Sequence, residues 1–327
     1  MLITLGSPPS AAETAAWHTV VVAAHDRDLP ASVPEPSTTE TAGKLRVPPV
    51  GGRSTHLAMT APDGAYEGVA SLLLFTEPEN RHTAFLNTLV VRPDARRHGV
   101  GAALWAAVRA ELAAAGRGSV STVLEVGGAG EAFVDSLGFT NVLPLGWYVQ
   151  RVQRTREEIP PPVLPAGLRF ADWTGVVPDA YAASFAVAHD AMRDAPAGGT
   201  DEQVRRWDAE RVRAAARVIE ERGGAVHTSA VLDTERGDAV VAYTEVVLAD
   251  PADTRALQYD TVVVPDGRGR GLGRAVKRHL LDTLGELRPG VREITTTVAD
   301  ENTGMLAVNA SLGYRRERSA GIFRTKL

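Results

Sequence analysis

Hydrophobic and polar positions in the second half of the chain recur with two different periods. Alternation with a period of two predicts strands, and apolar residues spaced by three or four predict amphipathic helices. Between residues 201 and 222 the helical spacing is carried by Val204, Trp207, Val212, Ala215 and Ile219 among many charges. The predicted elements are the strand Gly167–Trp173, helices Pro178–His189 and Asp201–Arg222, strands Ala225–Leu232, Ala239–Ala249 and Ala256–Val264, helix Gly273–Leu284, strand Ile294–Val298 and helix Asn302–Leu312. This order predicts an α/β (α+β) fold, with a mixed, mainly antiparallel sheet flanked by helices.

The first half ends in the same order of elements. Its pattern predicts strand Ala84–Val91, helix Gly101–Ala115, strand Ser121–Val126 and helix Gly130–Leu137. Residues 31–54, near its start, are rich in Pro, Ser, Thr and Gly, and we expect a loop there.

An internal repeat explains this likeness. The segment Val90–Gly101 matches Val262–Gly273 with Pro, Asp, Arg and two Gly in register, and Ser136–Phe139 matches Ser311–Tyr314 further on. Two ordered matches at nearly one offset indicate a duplicated domain. Four prolines within residues 158–165 predict a stiff linker. We therefore expect an N-terminal domain over residues 1–158, a linker over 159–165 and a C-terminal domain over 166–327.

Composition excludes several classes of function. A formal net charge of -5 argues against a general nucleic-acid binder. The absence of cysteine excludes disulfides, thiolate metal sites and a cysteine nucleophile, and the eight histidines show no metal-ligand spacing, so no metal is expected. We see no basic leader and no long apolar run, which predicts a cytoplasmic protein that does not cross a membrane.

The sharpest chemical signal is a glycine-rich loop that follows a strand and opens a helix. Glycines let the backbone approach a ligand, and free N–H groups at a helix start favour an anion such as a pyrophosphate. The spacing of the Rossmann fingerprint fails here, and so does the Gly-Lys-Ser/Thr of a Walker loop. The pattern that fits is R-x-x-G-x-G, at Arg268, Gly271 and Gly273 and again at Arg96, Gly99 and Gly101.

With this loop the chain resembles the GNAT acetyltransferase superfamily, whose acetyl-CoA motif is Q/R-x-x-G-x-G/A after a strand. Residues 302–314 also resemble the last helix of that family, which closes on Leu-Gly-aromatic. The two-domain layout is similar to that of mycothiol synthase. The resemblance implies tandem GNAT domains, acetyl-CoA (CoA) as cofactor, and an N-acetyltransferase that transfers the acyl group to a small-molecule primary amine by direct attack on the thioester.

The resemblance also implies which residues bind CoA. Backbone groups of Val262, Val263 and Val264 would pair with the pantetheine arm. The loop would take the pyrophosphate, through Arg268, Gly269, Arg270, Gly271, Leu272, Gly273 and Arg274. Asn302 would contact the cofactor, cap its helix, or do both. In the first copy the corresponding residues are Val90, Val91, Arg92, Arg97, Gly99 and Gly101.

The reaction needs a base for the amine and allows an acid for the thiolate. Asp260 and Glu245 are the candidate bases, and each could instead hold a cationic substrate. Many GNAT enzymes carry a tyrosine acid five residues before the aromatic that ends the last helix; Asn309 stands there in the second copy and Val134 in the first. Water, Tyr259 or Tyr243 could replace that acid, or the thiolate could leave unassisted.

The second copy is expected to be the catalytic one, because it is richer in glycine and arginine and carries Asn302 and Asn309. The first copy would be degenerate, binding CoA without turnover or serving as scaffold. Asp190, Met192 and Asp194 are candidates for the acceptor groove. The alternatives are a non-catalytic acyl-CoA-binding or sensor protein and, less favoured by charge, a nucleic-acid contact through the cluster Arg268–Arg278. We expect a monomer or homodimer.

Overall fold

The computed structural model of the protein describes residues 1–203 and 206–327, and it divides into two compact units. Unit 1 consists of residues 1–144, 198–203 and 320–327, and unit 2 of residues 145–197 and 204–319. The chain therefore contributes its last strand to unit 1, although that strand belongs to the second copy of the repeat. The boundaries at 158 and 166 describe the repeat along the chain and stay a prediction.

Unit 1 contains a six-stranded sheet among its described residues, in the order β1-β2-β3-β4-β5-β12. Neighbouring strands are antiparallel except for the parallel pair β4–β5. The strands are β1 (Leu2–Thr4), β2 (Gly52–Thr60), β3 (Tyr66–Phe75), β4 (Thr83–Val91), β5 (Ser119–Glu125) and the end of β12 (Arg315–Lys326). The helices are α1 (Ala11–Asp28), α2 (Thr38–Arg46), α3 (Val100–Ala114) and α4 (Ala129–Ser136).

Unit 2 repeats this plan, with the described strands in the order β6-β11-β10-β9-β8-β7. Only β10–β11 is parallel among these pairs. The strands are the end of β6 (Thr140–Arg151), β7 (Leu168–Thr174), β8 (Ala225–Asp233), β9 (Ala239–Leu248), β10 (Arg255–Val263) and β11 (Glu293–Ala299). The helices are α5 (Val152–Glu158), α6 (Asp179–His189), α7 (Ala209–Glu221), α8 (Leu272–Leu287) and α9 (Thr303–Ser311).

These sheets and helices confirm the predicted fold class. Two local predictions were wrong. The helix expected from Asp201 begins only at Ala209, where the Asp208 side chain caps it by accepting from Arg211 N at 2.8 Å; Val204 lies outside the described residues. The loop expected over 31–54 contains α2, which begins after Ser37 because the Ser37 hydroxyl accepts from Glu40 N at 3.0 Å.

In each unit, the two parallel strands of the sheet diverge after a short ladder. The strand β4 pairs with β5 only over Thr83–Phe85, and β10 pairs with β11 only over Arg255–Leu257. Beyond these three-residue ladders, no strand of the described residues pairs with the edge of β4 opposite β3 or with the edge of β10 opposite β9. An extended ligand with amide groups can therefore bond to that edge.

Buried apolar side chains fill both faces of each sheet. In unit 1 the main cluster joins α3 and α4 to strands β2–β5, with Leu72, Leu104 and Leu112 fully buried. In unit 2 one cluster lies under α8 and α9 and another under α6 and α7. None of the described helices has the length and apolar character needed to span a membrane.

The buried Arg278 fixes α8 to the segment that follows α5. Only 2% of Arg278 is exposed; its guanidinium donates to the Ile159 carbonyl at 2.7 Å and lies 2.8 Å from Asp282. We expect Arg278→Met to lower the free energy of unfolding by about 2 kcal/mol, because it removes the bonds of a buried guanidinium to the Ile159 carbonyl and to Asp282, although Asp282 keeps its pair with Arg156. Urea unfolding followed by tryptophan fluorescence measures this. The control Arg154→Met removes an exposed pair with Glu158 and should cost no more than about 0.5 kcal/mol; equal losses would contradict the role of Arg278.

Candidate active site

The two glycine-rich loops share one backbone geometry. In unit 2 the left-handed residues are Gly269 (φ 73°) and Gly271 (φ 76°), and in unit 1 they are Arg97 (φ 65°) and Gly99 (φ 84°). Alternating left-handed residues turn successive N–H groups towards one side, which forms an anion-binding nest. A Cβ added at Gly99, Gly269 or Gly271 would meet no heavy atom within 4 Å, so the space in front of each loop is open.

The helix that starts at each loop adds further donors. Gly271 is the N-cap of α8, and the first helical bond runs from Ala275 N to Gly271 O at 3.0 Å. The N–H groups of Leu272, Gly273 and Arg274 precede that bond and have no partner within the helix. These groups, at the positive end of the helix dipole, suit a pyrophosphate.

The first arginine of each motif has a structural contact. Arg268 donates to the Val263 carbonyl at 3.2 Å and pairs with Asp194 at 2.6 Å. In unit 1, Arg96 donates to the Val91 carbonyl at 3.0 Å and pairs with Asp28 at 2.7 Å. The side chain of Arg268 therefore holds the loop against its strand, and its backbone N–H donates to the Pro265 carbonyl at 3.2 Å. Neither group of Arg268 is therefore left as a donor for an anion.

The remaining loop arginines differ in their partners. Arg97, Arg270 and Arg274 are exposed, and no carboxylate of the described residues lies within 4 Å of Arg270 or Arg274. Arg92 instead forms a bidentate pair with Asp94 at 2.7 Å. Arg270 and Arg274 are thus the side-chain charges available for phosphates in unit 2.

In the strand before each loop, successive residues direct their backbone N–H and C=O groups to opposite edges of the strand. Val264 N donates to Val241 O at 3.0 Å, so Val264 faces β9. Val262, two residues earlier, faces the same way, whereas Val263 directs its N–H to the open edge, where its C=O accepts from Arg268. The same alternation in unit 1 turns Val91 to the open edge, since Arg92 N donates to Glu67 O and Val90 pairs with Val69.

In unit 1 the loop and the diverging strands border a cleft of about 890 Å³. Its walls include Leu86, Trp105, Val134 and Phe139, and its rim includes Arg97, Gly99 and Gly101. The walls are mainly apolar. In volume and in lining, the cleft fits an extended acyl-CoA arm.

In unit 2 the strand beside the loop carries a bulge with acidic residues. Gln258 pairs with Val246 and Thr261 with Thr244, so Tyr259 and Asp260 together oppose Glu245. Thr228 Oγ1 donates to the Glu245 carboxylate at 2.9 Å. Burial, and then the negative charge of Asp260, raise the pKa of Glu245 to about 7, against smaller opposing effects of Thr228 and His189. A carboxylate with that pKa can accept a proton at neutral pH.

His189 and two aromatic rings complete this acidic cluster. His189 Nε2 lies 3.2 Å from Asp260 Oδ2, and the His189 ring stacks on Trp207 with centroids 3.9 Å apart. The Nδ1 of His189 and the hydroxyl of Tyr243 are buried and have no hydrogen-bond partner within residues 1–203 and 206–327. Burial, together with the charges of Asp260 and Glu245, raises the pKa of Tyr243 well above its usual value. Tyr243 is therefore a neutral donor facing the two carboxylates.

The corresponding bulge of unit 1 has no acid. Asn87 is the extra residue there, and Thr88 pairs with Ser71. Asp260 and Glu245 of unit 2 thus correspond to the neutral residues Thr88 and Ser71 of unit 1.

Asn309 lies in a second cluster, between α8 and α9. Its Oδ1 accepts from Lys277 Nζ at 2.7 Å, and Lys277 Nζ lies 4.4 Å from the ring centre of Tyr314. The Tyr314 hydroxyl donates to Gln258 at 2.6 Å. Asn302 caps α9, since its side chain accepts from Met305 N at 3.1 Å; a contact of Asn302 with cofactor stays a prediction.

The candidate acceptor loop is held by internal contacts. Asp190 accepts from Trp207 N at 3.0 Å, Asp194 pairs with Arg268, and Met192 packs against the cluster under α6 and α7. Tyr259 is 46% exposed on the bulge. No group of three or more His, Asp or Glu among the residues described is arranged to hold a metal ion.

Sequence reasoning missed His189, Trp207, Thr228 and Lys277. Each lies on a different element from its partner, so no local spacing connects them. His189 closes a predicted helix, and a histidine at a helix end is an ordinary feature. Only pairing of β9 with β10, and packing of α6 on that sheet, bring it to Asp260.

Comparison with known proteins finds a family, a relative and solved structures that match. The model of the Acetyltransferase (GNAT) family matches residues 28–139 and 186–314. The chain is 27% identical over 279 residues to the mycothiol acetyltransferase of Mycobacterium marinum, covering 80% of this chain and 79% of that protein. Its fold is similar to a tandem GNAT protein from the clavulanic acid biosynthesis pathway, with a TM-score of 0.84, 22% identity and coverage of 100% and 98%. A GCN5-related N-acetyltransferase from Sphaerobacter thermophilus is also similar, with a TM-score of 0.67, 18% identity and coverage of 99% and 95%.

Proposed function

Because the chain belongs to the acetyltransferase (GNAT) family, we propose that it is an acetyl-CoA-dependent N-acetyltransferase for a small-molecule primary amine, and that unit 2 carries the reaction. The observation that carries this proposal is Glu245, a carboxylate with a pKa of about 7 beside the point where β10 leaves β11. The loop of unit 2 opens onto the same edge.

The described residues fit acetyl-CoA. The nest at Gly269 and Gly271, with Arg270 and Arg274, would hold the pyrophosphate, and Val263 would bond to the pantetheine arm. When bound, acetyl-CoA supplies the thioester carbonyl carbon that the amine attacks. Glu245 accepts the proton of the attacking amine, and Asp260 with His189 and Trp207 forms the wall that receives a cationic acceptor.

Steady-state release of CoA thiol, with acetyl-CoA and a panel of primary amines, tests the function. We expect release that depends on the amine and an acylated amine detected by mass spectrometry. Tight binding of CoA without turnover on any amine would instead support the acyl-CoA-binding alternative. The mainly apolar cleft of unit 1, whose bulge has neutral residues in place of Glu245 and Asp260, favours that alternative for unit 1.

The charges around Glu245 predict that two variants shift the rising limb of the kcat/KM–pH profile in opposite directions. A general base acts when deprotonated, so kcat/KM rises with pH through the pKa of Glu245, near 7. Asp260 raises that pKa and His189 lowers it. Asp260→Asn should therefore move the rising limb to lower pH, and His189→Gln should move it to higher pH. Profiles of kcat/KM against pH measure both; shifts in the same direction would show that a different group controls the limb.

A further inference from the structure

The polar cluster of Lys277, Asn309, Tyr314 and Gln258 stands where unit 1 has the apolar wall of its cleft. The repeat aligns Gln258 with Leu86 and Lys277 with Trp105 at the loop offset, and Asn309 with Val134 and Tyr314 with Phe139 at the offset of the last helix. All four residues of unit 1 line the cleft beside the loop. The four polar residues of unit 2 therefore face the corresponding space, next to the edge of β10.

Lys277 is an unusual residue to bury there. It is 3% exposed, its ammonium bonds to the neutral Asn309 and lies over the ring of Tyr314, and no carboxylate of the described residues lies within 4 Å of it. Asn309 is 1% exposed, and its Nδ2 has no hydrogen-bond partner in the part of the chain that the structure describes. Two buried donors without an anion thus lie side by side, an arrangement that burial disfavours unless an anion forms beside them.

The charged groups around α8 are engaged with residues other than Lys277. Gln258 of β10 and Thr244 of β9, which it contacts, are neutral, and burial raises the pKa of Tyr314 far above the physiological range. The remaining pairs are Asp172 with His279, His227 with Arg288, and Arg156 and Arg278 with Asp282. Burial alone lowers the pKa of Lys277 to about 7, which makes it a better proton donor than an ordinary lysine.

We propose that Lys277, oriented by Asn309, is the catalytic acid that protonates the departing CoA thiolate. This inference rests on the proposed function. As the amine nitrogen bonds to the carbonyl carbon, the C–S bond breaks and its electron pair stays on sulfur. Lys277 Nζ gives its proton to that sulfur and becomes neutral, while Glu245 takes the proton of the amine. Both groups then return to their starting states by exchange with solvent.

The first test needs no turnover. The thiol of bound CoA is titrated by the ultraviolet absorbance of its thiolate, and thiols are counted per chain. An ammonium beside the sulfur should lower that thiol's pKa by about one unit or more from the ~8.5 of an ordinary thiol. Lys277→Met should abolish the shift, whereas Lys44→Met, which removes an exposed lysine, should preserve it. An unshifted thiol in the parent protein, or a shift that survives in Lys277→Met, would overturn the proposal.

The second test uses the pH profile of kcat/KM. An acid must be protonated, so activity should fall as pH rises through the pKa of Lys277. Asn309→Asp puts a carboxylate beside the ammonium, raises its pKa, and should move the falling limb to higher pH; Lys277→Met should remove that limb and lower kcat at least about 10-fold. A purely structural lysine would leave the limb in place in both variants.

A failure of the proposed function can be distinguished from a failure of the role proposed for Lys277. If the parent protein acylates no amine, the proposed function fails, and the thiol titration still decides whether Lys277 lies beside the sulfur. Lys277→Met removes a buried charge but also leaves the buried Asn309 Oδ1 without its donor. Thermal melting therefore serves to show that this variant is folded before its bound thiol is titrated.

Discussion

Glu245→Gln should lower kcat/KM about 100-fold or more at pH 7, because an amide cannot accept the amine proton, and a positioned base contributes about 10²–10⁴-fold. Gln preserves the side-chain shape and can still accept from Thr228, so the fold and the affinity for CoA should be retained. The residual rate should lose the rising limb near pH 7 that Glu245 produces in the parent protein. Steady-state kinetics across pH, with CoA affinity measured separately by calorimetry, gives both quantities.

The control for this prediction is Glu286→Gln, which neutralises an exposed carboxylate on α8. Its kinetics should match those of the parent protein. If Glu245→Gln keeps its activity while Asp260→Asn loses it, the base is Asp260. If both variants remain active, proton removal does not depend on this bulge, and the amine attacks after losing its proton to solvent.

Gly271→Val should weaken CoA binding in unit 2 at least about 10-fold and lower turnover with it. The backbone of Gly271 is left-handed, at φ 76°, and a β-branched residue there is strained by about 1–3 kcal/mol. Its side chain would also project into the open space in front of the nest. Relief of the strain would turn the N–H groups of the loop away from the pyrophosphate.

The matched variant in unit 1 is Gly99→Val, since Gly99 has the same conformation, at φ 84°, and the same open space. It should remove CoA from unit 1 and lower the rate far less than Gly271→Val. Native mass spectrometry counts bound CoA per chain, and the thiol-release assay measures turnover in both variants. A larger loss of rate in Gly99→Val would move the reaction to unit 1 and contradict our assignment.

The loop could be predicted because its information is local. The segment Val262–Gly273 contains the strand end, the turn and the helix start in sequence order, and glycines mark the left-handed positions. Its second copy at Val90–Gly101 repeats these marks, although Arg97 takes the left-handed position that Gly269 holds in unit 2. A short-range pattern of this kind is sufficient to predict the backbone conformation of the loop.

The roles of individual side chains could not be predicted from the local sequence in the same way. Arg268 belongs to the motif, yet its guanidinium is bound by Asp194 on a distant segment. Lys277 has the sequence environment of a surface lysine on an amphipathic helix, and it is buried because α9 packs over it. In each case the decisive partner comes from an element that the local pattern does not identify.

The amino-acid sequence was sufficient to predict the duplication, the α/β fold of each copy and the positions of the two glycine-rich loops, because backbone conformation and hydrophobic period are determined within a few consecutive residues. The tertiary structure was needed to join β12 to the sheet of unit 1, to place His189 beside Asp260 and Glu245, and to bury Lys277 against Asn309. These arrangements depend on long-range strand pairing and helix packing, whose energies come from surfaces that meet only in the folded chain.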